Sequence, residues 1–127
     1  MDEQIKQRWL EALRSGEYQQ TKGTLHDTKG FCCLGVLCDV LKNDPLFRGE
    51  WVYNGGKVAQ FVEEGGESSM ALPSEVFMQR MGIDRNDPYT QEPRVFTDGD
   101  IGKHRLATLN DEGYTFAEIA DIIERDL

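Results

Sequence analysis

The sequence predicts a small α+β domain, mostly helical, with about five helices around a buried central helix at Cys32–Leu41 and one or two small β-hairpins. Three observations predict this class. Apolar residues recur at helical spacing near both ends of the chain. One internal segment is apolar almost all round. A Gly-rich turn separates two short apolar stretches. At 127 residues a single compact domain, spanning 1–127, with one hydrophobic core is expected.

The first helix is expected from about Asp2 to Ser15. Asp2 suits an N-cap, Ile5, Trp9, Leu10 and Leu13 share a face, and Gly16 is a stop signal. Thr24-Leu25-His26 suits a short strand returning through Gly30-Phe31 as a tight hairpin. The next helix runs from Phe31 or Cys32 to Lys42, with Asp39 its only charge before Lys42. Gly35 inside it costs about 1 kcal/mol against Ala, which predicts a close backbone or helix neighbour at that point. Asn43-Asp44-Pro45 ends the helix.

Glu50–Tyr53 and Lys57-Val58 flank Asn54-Gly-Gly56 as a hairpin, although Val58–Val62 also fits a helical turn or two. Glu63–Ser69 (EEGGESS) has the composition of a flexible loop. Leu72-Pro-Ser-Glu75 opens a short helix with Pro73 near its first turn, Val76, Phe77 and Met81 on its apolar side, and Gly82 closing it. Residues 83–100 hold turn signals at Asn86-Asp-Pro88, Glu92-Pro93 and Asp98-Gly-Asp100, with Arg94-Val-Phe96 a candidate strand. Ile101–Glu112 reads as a helix stopped by Gly113. Thr115-Phe-Ala-Glu118 is a capping box, Tyr114 and Ile119 occupy staple positions, and Phe116, Ile119, Ala120 and Ile123 form the final stripe.

Charge narrows the function. The chain has 14 Lys+Arg against 23 Asp+Glu, a net charge of −9. Residues 1–60 carry eight of each sign, so the whole excess lies in 61–127, with fifteen acidic and six basic residues. Such a half suits a solvated face, a partner with a basic surface, or a cation site. Direct nucleic-acid binding is disfavoured, because phosphates need a basic surface. The longest apolar run, Phe31–Cys38, is too short to span a bilayer, so no membrane partner is expected. No basic region followed by an apolar stretch opens the chain, so no secretory signal is expected either. Cys32, Cys33 and Cys38 sit in one apolar segment rather than spread between loops, which points to a reduced, cytoplasmic setting.

The residue types bear on several chemistries. His26, Cys32, Cys33 and Cys38 are zinc-type ligands, but adjacent cysteines lack zinc-site spacing, and free cysteine commonly fills cores. A thiol nucleophile would need Cys32, at the helix N-terminus, with His26 or His104 as base. Asp84-Arg-Asn-Asp87 and Asp98-Gly-Asp100 fall short of a calcium loop. No cofactor or metal is therefore expected. Leu106–Ile123 resembles the start of a helix-turn-helix, but no recognition helix follows and the final helix is acidic. No P-loop, G-x-G-x-x-G or G-x-S-x-G occurs, which leans away from an enzyme.

Three blocks, Arg8–Tyr18 (RWLEALRSGEY), Phe31–Asp39 (FCCLGVLCD) and Leu106–Glu124 with its Leu-Asn-Asp-Glu-Gly centre, resemble an uncharacterised family of small bacteriophage and prophage proteins. A similar Leu-Pro helix, here Leu72 to Gly82, sits between the second and third blocks. The resemblance covers about half of the chain, FCCLGVLCD being its most specific part, and segments 43–70 and 83–100 match no pattern. It implies an accessory viral protein in the host cytoplasm and brings no catalytic residues with it.

The expected function is thus non-enzymatic binding to a host component, as a protein inhibitor or acidic mimic, with a basic-surfaced host protein as partner. The alternative is a small-molecule or nucleotide-binding or sequestering protein, or a small hydrolase of a signalling nucleotide. Its pocket would draw on Lys22, Trp51, Tyr53 and Lys57 from the neutral half.

Overall fold

The computed structural model describes residues 1–91 and 104–127. Its helices are α1 (Glu3–Arg14), α2 (Cys33–Leu41), α3 (Glu75–Gln79), α4 (Leu106–Asp111) and α5 (Phe116–Asp126). Strands β1 (Gly49–Tyr53), β2 (Ala59–Glu63) and β3 (Ser68–Ser69) form an antiparallel sheet in that order, and β4 (Tyr89–Thr90) pairs with β5 (His104–Arg105). The α+β class is as expected. At 12, 9, 5, 6 and 11 residues, however, the helices leave more than half of the described chain to strands, turns and loops. "Mostly helical" therefore overstates the helix content.

Helix α1 starts where Asp2 accepts a hydrogen bond from Ile5 N at 3.0 Å, and it buries Ile5, Trp9, Leu10 and Leu13. Trp9 is fully enclosed and its indole N–H donates to the Cys33 carbonyl at 2.9 Å, pinning α1 to the first turn of α2. Helix α5 begins at the predicted capping box: Glu118 N donates to Thr115 Oγ1, and Thr115 N donates to Glu118 Oε1. Phe116, Ile119, Ala120, Ile122 and Ile123 are its buried face.

Helix α2 is buried from Cys33 to Cys38 and at Leu41. It packs against α1 and α4, whereas α5 lies mainly against α1 and α4. The helices are thus not arrayed around α2 as a single hub. Gly35 explains one side of it. A Cβ at that position would stand 1.8 Å from the Leu25 carbonyl oxygen, so the preceding loop crosses the helix in contact with its backbone.

That loop is a turn rather than the expected strand pair. Among the described residues, His26 and Phe31 share a single bridge, and Asp27 closes the turn by accepting from Lys29 N and Gly30 N. It then joins the sheet, with Ala59 N donating to His26 O and Thr28 N to Lys57 O.

A β1–β2 hairpin forms as predicted, but its second arm is Ala59–Glu63 rather than Lys57-Val58, and that arm is strand, not helix. The supposed flexible loop at 63–69 is ordered. Gly65 and Gly66, at φ +109° and +106°, turn the chain so that Glu63 N donates to Glu67 O and β3 can form. Positive φ is cheap for glycine alone, which is how a loop-like composition encodes a strand return.

Two further corrections concern the second half. Helix α3 opens within Leu72–Glu75 as expected, with Ser74 its N-cap accepting from Phe77 N, but Val76 faces solvent while Phe77, Met78 and Met81 are buried. Helix α4 starts at Leu106, because His104–Arg105 are spent on pairing with β4. Arg94–Phe96, Glu92-Pro93, Asp98–Asp100 and the expected helix start at Ile101 lie outside the described residues.

Candidate functional site

The cysteines offer no accessible nucleophile. All three are buried, Cys32 included, although it sits at the N-cap of α2 as expected. Its Sγ accepts from Gly35 N at 3.4 Å, but burial dominates and pushes the thiol up to about 11. Burial likewise raises Cys33 and Cys38 well above the ordinary range. The Cys32 setting is thus enclosed, with the acids Asp87 and Asp111 near it, rather than the partly exposed, electropositive one that thiolate chemistry needs. Among the described residues no cluster of His, Cys, Asp and Glu is arranged to hold a metal. Beside Cys32 lies a cleft of about 270 Å³ that also touches Thr24, Asp87, Thr108 and Asp111. Its two carboxylates already have partners. Asp87 accepts from Ala107 N at the start of α4, Asp111 accepts from Gly23 N, and burial raises the Asp87 carboxyl.

The predicted ligand residues are divided. Trp51 and Tyr53 join a ring cluster in which His26 stacks on Phe31 with centroids 3.8 Å apart and Trp51 meets Phe61 at 4.9 Å. The His26 Nδ1 lies 2.7 Å from the Gly30 carbonyl, which can only accept, so Nδ1 carries the proton and Nε2 accepts from Tyr53 Oη. Asp39, the lone acid of α2, takes hydrogen bonds from Tyr18 Oη, Lys42 Nζ and Trp51 Nε1 at 2.6, 2.8 and 3.0 Å. Burial works against its charge, but those three donors outweigh it and hold the carboxyl below its ordinary value. Burial, then the bond to Asp39, raises the Tyr18 hydroxyl. The polar tips of Trp51 and Tyr53 are thus already engaged. Lys57 is exposed beside the 26–30 turn, whereas Lys22 extends toward Gly113 at the α4–α5 turn.

Among the described residues, one buried charged group is left over. In β2 the buried positions alternate as Ala59, Phe61 and Glu63, so the strand carries a carboxylate to the place where its pattern calls for an apolar side chain. Glu63 is 6% exposed, and its Oε2 is buried with no hydrogen-bond partner among the described residues. Across the hairpin it faces Gly49, which offers no side chain. A Cβ there would meet the Phe61 ring at 2.5 Å, so glycine is required, and the ring occupies the place a side chain at 49 would take.

Two clefts flank this carboxylate. The first, about 290 Å³, is lined by Arg48, Gly49, Glu50, Val62, Glu63 and Glu64; the second, about 200 Å³, includes Glu63, Glu67, Ser74 and Arg80. The neighbouring guanidiniums are engaged elsewhere. Arg48 Nε lies 3.7 Å from Glu64 and Arg80 donates to the Leu46 carbonyl at 3.1 Å. An unpaired buried charge is costly, and a cation arriving from outside would compensate it. None of the sequence motifs marked Glu63. The available signal was an acid at the fifth place of the alternating run Ala59–Glu63.

Fold and site together define a small α+β domain with shielded thiols and an uncompensated acid at the end of its hairpin. Along residues 1–127 the chain matches the family described as Domain of unknown function (DUF8296), and it belongs to that family. No curated protein and no solved structure matches it.

Proposed function

We propose that this is an accessory protein of phage or prophage origin that acts in the host cytoplasm by binding, without catalysis, a host protein with a basic surface. The observation that carries the reading is the buried, unpartnered Glu63 carboxylate in a cleft where Glu50 and Glu64 outnumber Arg48. Such a site favours a positive group arriving from outside. The enclosed thiols and the spent carboxylates of the Cys32 cleft favour binding over catalysis. The alternative, a nucleotide-binding pocket or hydrolase site, gains less support, since Lys22 extends away from Trp51 and Tyr53.

The test is capture from a bacterial host lysate on the immobilised chain at low salt. A retained protein with a basic surface, eluting as ionic strength rises, is the expected outcome, because exposed charges are screened beyond about 10 Å at 0.1 M salt. Retention of nothing beyond a blank matrix at low salt contradicts the reading.

A further inference from the structure

We propose that the cleft at the open end of the β1–β2 hairpin receives the side chain of a lysine on the partner protein, with Glu63 as the counter-charge of its ammonium group. This deepens the binding function proposed above and rests on it.

The charge comes first. The cleft presents Glu50, Glu63 and Glu64 against Arg48 alone, three carboxylates to one guanidinium. Glu63 differs from its two neighbours in depth: they are exposed, whereas it is buried and its Oε2 has no hydrogen-bond partner among the described residues. A charge buried at that depth interacts with a counter-ion far more strongly than a rim carboxylate does, and salt screens it less.

Shape selects the cation. Gly49 brings no side chain of its own opposite Glu63, where the Phe61 ring lies instead, and half-buried Val62, at the neighbouring strand position, gives the cleft an apolar lining. A lysine lays its methylene stem along such a wall and delivers a compact ammonium with three rotatable donors. A guanidinium is a flat fork that wants an open carboxylate edge, which a residue only 6% exposed does not present. Arg48 and Arg80 both line clefts that contain Glu63, yet both bond elsewhere. Two guanidiniums at hand have not compensated this acid. A slimmer cation fits.

The experiment is an amide-shift titration of the ¹⁵N-labelled chain with Nα-acetyl-lysine methylamide, and with its norleucine and arginine counterparts, at low salt. Saturable shifts at Gly49, Glu50 and Val62 to Glu64 are expected for lysine, weaker ones for arginine and none for norleucine. Glu63→Gln should weaken lysine binding by about tenfold or more. The double variant E50Q/E64Q alters only exposed groups, so it keeps the fold and should show a smaller loss. Glu112→Gln, at the exposed end of α4, should change nothing. Equal binding by E63Q, shifts scattered over all carboxylates, or no saturable shift overturns the proposal. Tighter binding of free 1,5-diaminopentane than of the lysine derivative overturns the assignment to a protein partner. A salt-sensitive partner captured equally by wild type and E63Q removes the lysine site and leaves the binding function standing. Saturable lysine binding with no captured partner removes the binding function instead.

Discussion

Gly35 and Leu25 meet so closely that a methyl group on Gly35 would stand 1.8 Å from the Leu25 carbonyl oxygen. Backbone thus packs on backbone where the 24–31 turn crosses α2, and Cys32 N donates to the same carbonyl at 3.0 Å.

Gly35→Ala should therefore cost about 3 kcal/mol or more, despite the better helix propensity of alanine, because the obstruction is main chain and cannot rotate away. Gly56→Ala is the control. Nothing lies within 4 Å of its added Cβ and its φ is not positive, so its stability should stay within about 1 kcal/mol of wild type. Urea denaturation of both variants checks the contrast.

Asn110 is fully buried and ties three segments together. Its Oδ1 accepts from Gln20 Nε2 and Cys33 N, and its Nδ2 donates to Thr21 O. Asn110→Ala leaves these groups unsatisfied and should cost about 2–4 kcal/mol, read as a lowered denaturation midpoint. Asn110→Asp removes the donor to Thr21 and should not rescue it.

These two sites show how far the sequence could be read. A glycine inside an apolar helix announces a close neighbour without naming it, and the caps at Asp2 and Thr115 announce helix starts, because both signals are local. Leu25 as the neighbour of Gly35 and Thr21 as the partner of Asn110 depend on the tertiary path, which leaves no periodic trace. The β3 strand was illegible for another reason: its two residues follow a glycine pair whose positive φ reads as disorder in composition alone. Val76 turned outward because α3 is only one and a half turns long, too short for periodicity to decide a face. At the site, Trp51 and Tyr53 were legible as ring-bearing strand residues. Glu63 was not, since one acid among three near a Gly-Gly pair looks like loop.

The thiols give a pH dependence of definite sign. Burial raises Cys32 to about 11 in the folded chain against about 9 when exposed, and it raises Cys33 and Cys38 in the same direction. Below pH 9 all three are neutral in both states and no stability is lost. Between pH 9 and 11 the unfolded thiols ionise while Cys32 does not, so folding loses about 2–3 kcal/mol to Cys32 alone. Denaturation midpoints should fall across that window. At pH 8 a thiol reagent should leave the native chain unmodified and react with three thiols once denaturant is added.

Asp39 acts at the other end of the scale. Its carboxyl is held below the ordinary value, so its stabilising effect is present above that value and is lost as pH falls through the folded one. Asp39→Asn should cost about 1–3 kcal/mol at pH 7 and flatten the loss of stability below pH 4, and Trp51 fluorescence reports the change directly because its indole N–H donates to this carboxylate.

In the binding function proposed above, Glu63 serves a ligand and not the fold. Glu63→Met replaces a buried, unpaired carboxylate with an apolar side chain of similar length. The measurement is its urea midpoint against wild type at pH 7 without any ligand. The expected result is a more stable protein, by about 1–3 kcal/mol, that no longer binds the lysine derivative. A loss of stability of similar size would contradict it, since Glu63 would then be serving the fold.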